Sequence, residues 1–172
     1  MQLLIVLAAI SGCAQAAPDS PWGDIVADVR DRVTSELHRE ILADGTVSDA
    51  EFNEAFKLFS DCLSSNGFVV ERQQYKGMYS GFFVPGDREV PGDVLDSCYA
   101  ETLEHVEAMY FDMRRNPNNE DALAVELACL KRSGLVQEEY SMSDYASDLG
   151  GDPEDLPFDL DSEAALDCFY NV

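Results

Sequence analysis

Positive charge is scarce in this 172-residue chain: 11 Lys and Arg stand against 34 Asp and Glu, for a formal net charge of −23. The deficit is uneven, since no Lys or Arg follows Arg132, whereas Glu138, Asp144, Asp152, Asp159 and Asp167 are among the carboxylates that do. Nucleic acids and anionic membrane surfaces are held through basic patches that release counterions, so neither is an expected partner. An acidic surface of this kind keeps a protein soluble or draws in cations. The chain also lacks the Gly-x-Ser-x-Gly elbow, a phosphate-cradling glycine loop and the His-Glu-x-x-His pair, and with them the motif-borne forms of hydrolase, nucleotide and zinc-protease chemistry. Among so many carboxylates a pair suited to glycoside hydrolysis can be chosen anywhere, so it carries no information. The only histidines, His38 and His105, each sit among charged neighbours in helical stretches, where a solvated or surface-paired role is expected.

Long hydrophobic runs are missing too. The single apolar run, Leu3 to Ile10, is too short for a permanent membrane span and is followed by small residues, the layout of a secretory signal. Two processing sites compete. Ile10-Ser11-Gly12-Cys13 resembles a lipobox that would lipidate Cys13, and Ala14-Gln15-Ala16 suits ordinary signal peptidase, releasing a chain from Ala17. The lipobox is favoured, because a cysteine at the end of so short a run is otherwise an odd choice. Residues 1–16 are therefore assigned to a signal peptide with a lipobox-like end, and 17–172 to a single mainly helical domain with an acidic C-terminal segment.

Beyond the signal stand Cys62, Cys98, Cys129 and Cys168, far apart and with no Cys-x-x-Cys pair. In an exported chain this favours disulfides over zinc. Of the three possible pairings, an internal echo selects one. Cys62-Leu63 precedes Gly67-Phe68 with the same spacing as Cys129-Leu130 precedes Gly134-Leu135, and each copy is followed by a later Cys beside an aromatic, Cys98-Tyr99 and Cys168-Phe169. Similar units close similarly, which pairs Cys62 with Cys98 and Cys129 with Cys168.

The hydrophobic pattern reads as mainly α with a small β element, an α+β chain stapled by two disulfides. Ile25, Val29, Val33, Leu37 and Ile41 mark a helix over 24–43, and Phe52, Ala55, Phe56, Phe59 and Leu63 a second over 49–66. A change of period over 68–84 predicts a β-hairpin, with strands near 68–73 and 78–84. A third helix is expected from Asp93 to Met113, stopped by Asn116-Pro117, and a fourth over 119–133. The Ser, Gly, Pro and Asp of 141–162 suggest short helical turns and loop, and a last short helix over 162–170 returns Cys168 to the body.

One stretch, "LADGTVSDAEF", looks like half a calcium loop. With Gly45 at the turn position, Asp44, Thr46, Ser48 and Glu51 form the candidate Ca2+ set, but Leu42 occupies a position that needs an oxygen. A capped turn accounts for the same letters: Gly45 after a helix end, Ser48 and Glu51 as a capping box, and Val47 with Phe52 as a staple. The capped turn is the preferred reading, so no cofactor is expected unless Ca2+ binds there.

"LADGTVSDAEFNEAF" leading into "DCLSSNGF", an aromatic hairpin, "DSCYAE" and "ACLKRSG" together resemble a group of exported or lipid-anchored actinobacterial proteins of uncharacterised function. The resemblance implies location and a disulfide-stapled, mainly helical fold, and carries no functional residues with it. The expectation is therefore an exported, membrane-tethered envelope protein of binding type, meeting an envelope protein or ligand and touching the membrane only through its lipid anchor. The alternatives are an envelope hydrolase, marked by a cleft with a polar cluster and a shifted carboxylate, and a divalent-cation binder.

Overall fold

The computed structural model describes residues 20–86 and 88–170. Residues 1–16, read above as a signal peptide and including Cys13, lie outside them. Within them the chain forms eight α-helices and one antiparallel hairpin: α1 Gly23–Arg32, α2 Glu36–Ile41, α3 Asp49–Ser65, β1 Glu71–Tyr75, β2 Met78–Phe83, α4 Gly92–Thr102, α5 Glu104–Arg115, α6 Ala122–Arg132, α7 Met142–Leu149 and α8 Glu163–Tyr170. The mainly helical fold with one hairpin and two disulfides is as expected.

Apolar side chains gather into two clusters. The first takes in α1 to α5 and the hairpin around Phe52, Phe56, Phe59, Leu63, Leu103 and Val106. The second is smaller and joins α6, α7, α8 and the loop before α8 through Leu127, Leu130, Tyr145, Phe158 and Ala165. Each cluster holds one disulfide, Cys62–Cys98 with Cα atoms 5.8 Å apart and Cys129–Cys168 at 5.5 Å. The four cysteines are paired as the echo indicated, so none is left for zinc.

The structure gives the echo a physical meaning. Gly67 (φ 86°) and Gly134 (φ 70°) adopt the left-handed conformation just past α3 and α6. In both places the next residue's amide reaches back to a helix carbonyl, Phe68 to Leu63 at 2.9 Å and Leu135 to Leu130 at 3.0 Å, and each glycine amide bonds one residue further on. This is the Schellman cap. Each bridge thus leaves its helix one residue before the carbonyl that the cap closes.

The turn before α3 is the capped turn. Glu51 accepts the Ser48 amide (2.8 Å) and hydroxyl (2.6 Å), while the Ser48 hydroxyl accepts the Glu51 amide at 3.3 Å. Asp44 accepts both the amide and the hydroxyl of Thr46, at 3.0 and 3.1 Å. Local donors thus engage both carboxylates of the candidate calcium set. Among the described residues no group of three or more His, Cys, Asp or Glu is placed to hold a metal ion.

Two expected helices are broken. The helix expected over 24–43 stops at Arg32, with Val33 (ψ 144°) and Ser35 (ψ 130°) extended before α2. Apolar residues every fourth position advance about 40° per step around a straight helix, so the stripe from Ile25 to Ile41 would wind away from any one core. Breaking the helix at a β-branched pair ahead of a serine lets Val26, Val33 and Ile41 all be buried. The helix expected from Asp93 to Met113 bends at Leu103 (φ −116°), where Thr102 donates its hydroxyl to the Cys98 carbonyl at 2.6 Å, a bond that bends helices. Residues near α2 take up the carbonyls exposed there: Ser35 donates to Glu101 at 3.1 Å and the His38 ring bonds Thr102.

Smaller differences follow local chemistry. The first strand begins at Glu71, three residues later than expected, and its two-residue turn uses Lys76 (φ 47°) and Gly77 (φ 85°), both at the positive φ that a type I′ turn demands. Helix α6 starts at Ala122 rather than Asn119, because Asp121 caps it through the Ala124 amide at 3.0 Å.

His38 departs from its expected surface role. It is 1% exposed, its Nε2 has no hydrogen-bond partner among the described residues, and its ring meets that of His105 edge-on at 5.5 Å. Burial lowers its pKa from the ordinary 6.5, the neighbouring His105 adds to this, and the Thr102 carbonyl and Glu104 act against it. A group whose folded pKa is depressed contributes stability that is present above the unfolded value and lost as pH falls through the folded one. An imidazole proton titration by NMR is therefore expected to place the His38 midpoint below 6.5; a midpoint at or above that value contradicts a neutral, buried ring.

Candidate ligand cleft

The two clusters meet incompletely. Where they part, a cleft of about 370 Å³ opens between the start of α1, the end of α5 and the length of α6, with the Cys129–Cys168 bridge in its wall. That volume is at the small end of the range for small-molecule sites, about 300–1,000 Å³.

Asn116 builds one rim. It ends α5 in an irregular conformation (φ −139°, ψ 66°), and its buried side chain clamps the following turn: Nδ2 donates to the Glu120 carbonyl at 2.6 Å and Oδ1 accepts the Glu120 amide at 2.8 Å. Its own carbonyl accepts the Trp22 indole N–H at 2.9 Å, and Asn119 donates to the Pro21 carbonyl at 2.8 Å. A residue before α1 and a turn after α5 are thereby locked together. Trp22, Ile25, Met109, Ala122 and Val125 supply the apolar lining.

Charge enters from α5 and α6. Arg115 Nη2 lies 2.5 Å from Glu126 Oε1, with both side chains largely covered, and Tyr145 donates to Glu126 Oε2 at 2.9 Å. Burial and the Glu126 carboxylate push the Tyr145 hydroxyl well above its usual range. Glu126 is thus satisfied from two sides, as a partly buried carboxylate requires. Asp112, one turn before Asn116, differs. Burial raises its pKa, Arg115 only opposes that shift, and its carboxylate makes no hydrogen bond to any described residue.

A second junction ties the clusters at the hairpin tip. Asp167 of α8 accepts Tyr75 Oη at 2.9 Å and Lys76 Nζ at 2.6 Å, and Lys76 also lies 3.0 Å from Glu163. The same contacts hold the Asp167 carboxyl below its usual range. The rings of Tyr75 and Phe111 lie 5.5 and 6.2 Å from that of Tyr170.

Of the residues singled out from the sequence, Cys129 and Cys168 reach the cleft, Cys62 and Cys98 staple the first cluster away from it, and Asp44, Thr46, Ser48 and Glu51 stay at their turn. Sequence reasoning passed over Trp22, Asp112, Arg115 and Glu126. The one hint was Trp22, the chain's only tryptophan, placed just ahead of an amphipathic helix. No family, no curated protein and no solved structure matches the chain.

The cleft has the polar cluster and shifted carboxylate that mark the hydrolase alternative. Its polar groups are mostly committed to one another, however, which suits holding a molecule better than transforming one. Two disulfides suit an oxidising environment, and among the described residues no helix is long and apolar enough to cross a membrane.

Proposed function

We propose that this is an exported binding protein, tethered to the outer face of the cell membrane through a lipid on Cys13, that takes up a small organic molecule in the Trp22 cleft. The observation that carries the binding role is the cleft itself, an apolar-lined space between two separately stapled clusters with one half-buried carboxylate, Asp112, in its wall. The tether is supported by the lipobox-like residues and by cysteine number, since four of the five cysteines pair with one another and leave Cys13 as the odd one.

Trp22 is a built-in reporter. Aromatic fragments of cationic, neutral and anionic type are expected to include at least one class that changes its fluorescence saturably. Ala122→Phe, which adds bulk at an exposed position on the rim, is expected to abolish that change. Silence from all three classes ends the binding reading. For the tether, the intact mass of protein from the host envelope is expected to carry acyl chains on Cys13; a chain starting at Ala17 in the medium makes it a diffusible factor instead.

The second reading is an envelope hydrolase with Asp112 as the proton-transfer group, favoured by the raised carboxyl pKa. Glu126, another carboxylate of the cleft, is already held by Arg115 and Tyr145. Turnover of a bound fragment, lost in Asp112→Asn, would move this reading ahead of binding.

A further inference from the structure

We infer that the ligand of this cleft is an organic cation, a protonated amine on a small apolar body, with the Asp112 carboxylate as its counter-ion. This rests on the cleft being a binding site and adds the charge class of its occupant.

The cleft's charged groups are unequally engaged. Arg115 and Glu126 face each other at 2.5 Å, and Tyr145 takes the second oxygen of Glu126. Asp112 lies in the wall with no hydrogen bond from any described residue. Asp112 is half-buried with Arg115 as its charged neighbour, and a cation entering beside it would supply the charge-assisted hydrogen bond that no described residue gives it. Burial raises the Asp112 pKa, and Arg115 opposes the rise without cancelling it.

The remaining walls fit the same ligand. Trp22 and Met109 give an apolar surface for the body of an amine, and an indole is the side chain with most attraction for an ammonium group. The far field agrees, because a net charge of −23 raises the local concentration of cations and repels anions on approach. The competing anchor is Arg132, which has no partner among the described residues and would suit a carboxylate ligand. It is exposed, where water and salt weaken an ion pair most.

The test uses the full-length oxidised protein with 2-phenylethylamine, the neutral 3-phenylpropanamide and the anionic 3-phenylpropanoate as matched probes, read by Trp22 fluorescence. The amine is expected to bind most tightly, and Asp112→Asn to raise its Kd by roughly tenfold or more, well beyond any change in the amide's Kd. In case the variant misfolds, titration of 15N-labelled wild type with the amine is expected to shift the Trp22 indole N–H and the amides around Asp112. Tighter binding of the propanoate, or amine binding indifferent to Asp112→Asn, overturns the cation assignment and leaves the cleft standing. Failure of all three probes removes the cleft reading along with it.

Discussion

Replacing Cys129 and Cys168 together by serine is expected to cost about 3 to 4 kcal/mol of stability, the entropy regained by an unfolded chain released from a loop of this length. The sequence separation is 39 residues. The loss should be felt in full, because the segment the bridge closes has few other anchors. Between Gly134 and Tyr170 the buried side chains are Val136, Tyr145, Phe158, Ala165 and Cys168, set among carboxylates with no Lys or Arg to offset them. Besides Ala165 in the second cluster, helix α8 is held by its clasp on the hairpin tip, where Lys76 and Glu163 are both exposed, and exposed ion pairs contribute little. Urea unfolding of the oxidised protein and the double serine variant is expected to show a large fall in midpoint, with loss of the α6–α8 cluster first in hydrogen exchange. A change below about 1 kcal/mol would mean that the segment is held by contacts other than the bridge.

Phe59→Ala is expected to destabilise the first cluster by about 3 to 5 kcal/mol. Phe59 is fully buried, with ring centroids of Phe82, Phe56 and Tyr99 at 4.8, 6.0 and 6.0 Å. The last two neighbours belong to α3 itself and to α4, which the Cys62–Cys98 bridge pins together less than one turn beyond Phe59. Walls held that way collapse little into a vacated space, so the cavity term adds to the lost transfer energy. Phe83→Ala is the control: that ring is 46% exposed and its removal should cost about 0.5 kcal/mol or less. Equal losses at both sites, measured by chemical denaturation, would show that the cluster repacks freely.

The parts of the fold that were legible in the sequence are those with local causes. The capping box at Ser48, the stop glycines at Gly67 and Gly134 and the run of aromatics in α3 each act within a few residues, and each stands where it was expected. The cysteine pairing was legible for a less usual reason: both bridges hang on the same cap. The breaks at Val33 and Leu103 were hidden, because apolar periodicity passes through both and what tips the balance comes from elsewhere, His38 and Ser35 meeting carbonyls more than sixty positions away. His38 itself was misplaced because its charged sequence neighbours Glu36, Arg39 and Glu40 are exposed while its own ring is buried. The cleft was the least legible. Trp22 and Asn116 lie 94 residues apart, and Arg115 and Glu126 are joined by a turn whose shape depends on Asn116.

The two bridges also bear on the order of assembly. They are consecutive along the chain, 62 with 98 and then 129 with 168, and neither interval encloses or crosses the other. A chain emerging from its N-terminus can therefore close the first loop, around the larger cluster, before the third cysteine has appeared. Of the four cysteines in the described residues, an N-terminus-first order offers Cys62 only Cys98 until Cys129 emerges. Bridges in this sequential order can form in the order of synthesis, and the cleft, with the second bridge in its wall, is completed only once the second loop has closed.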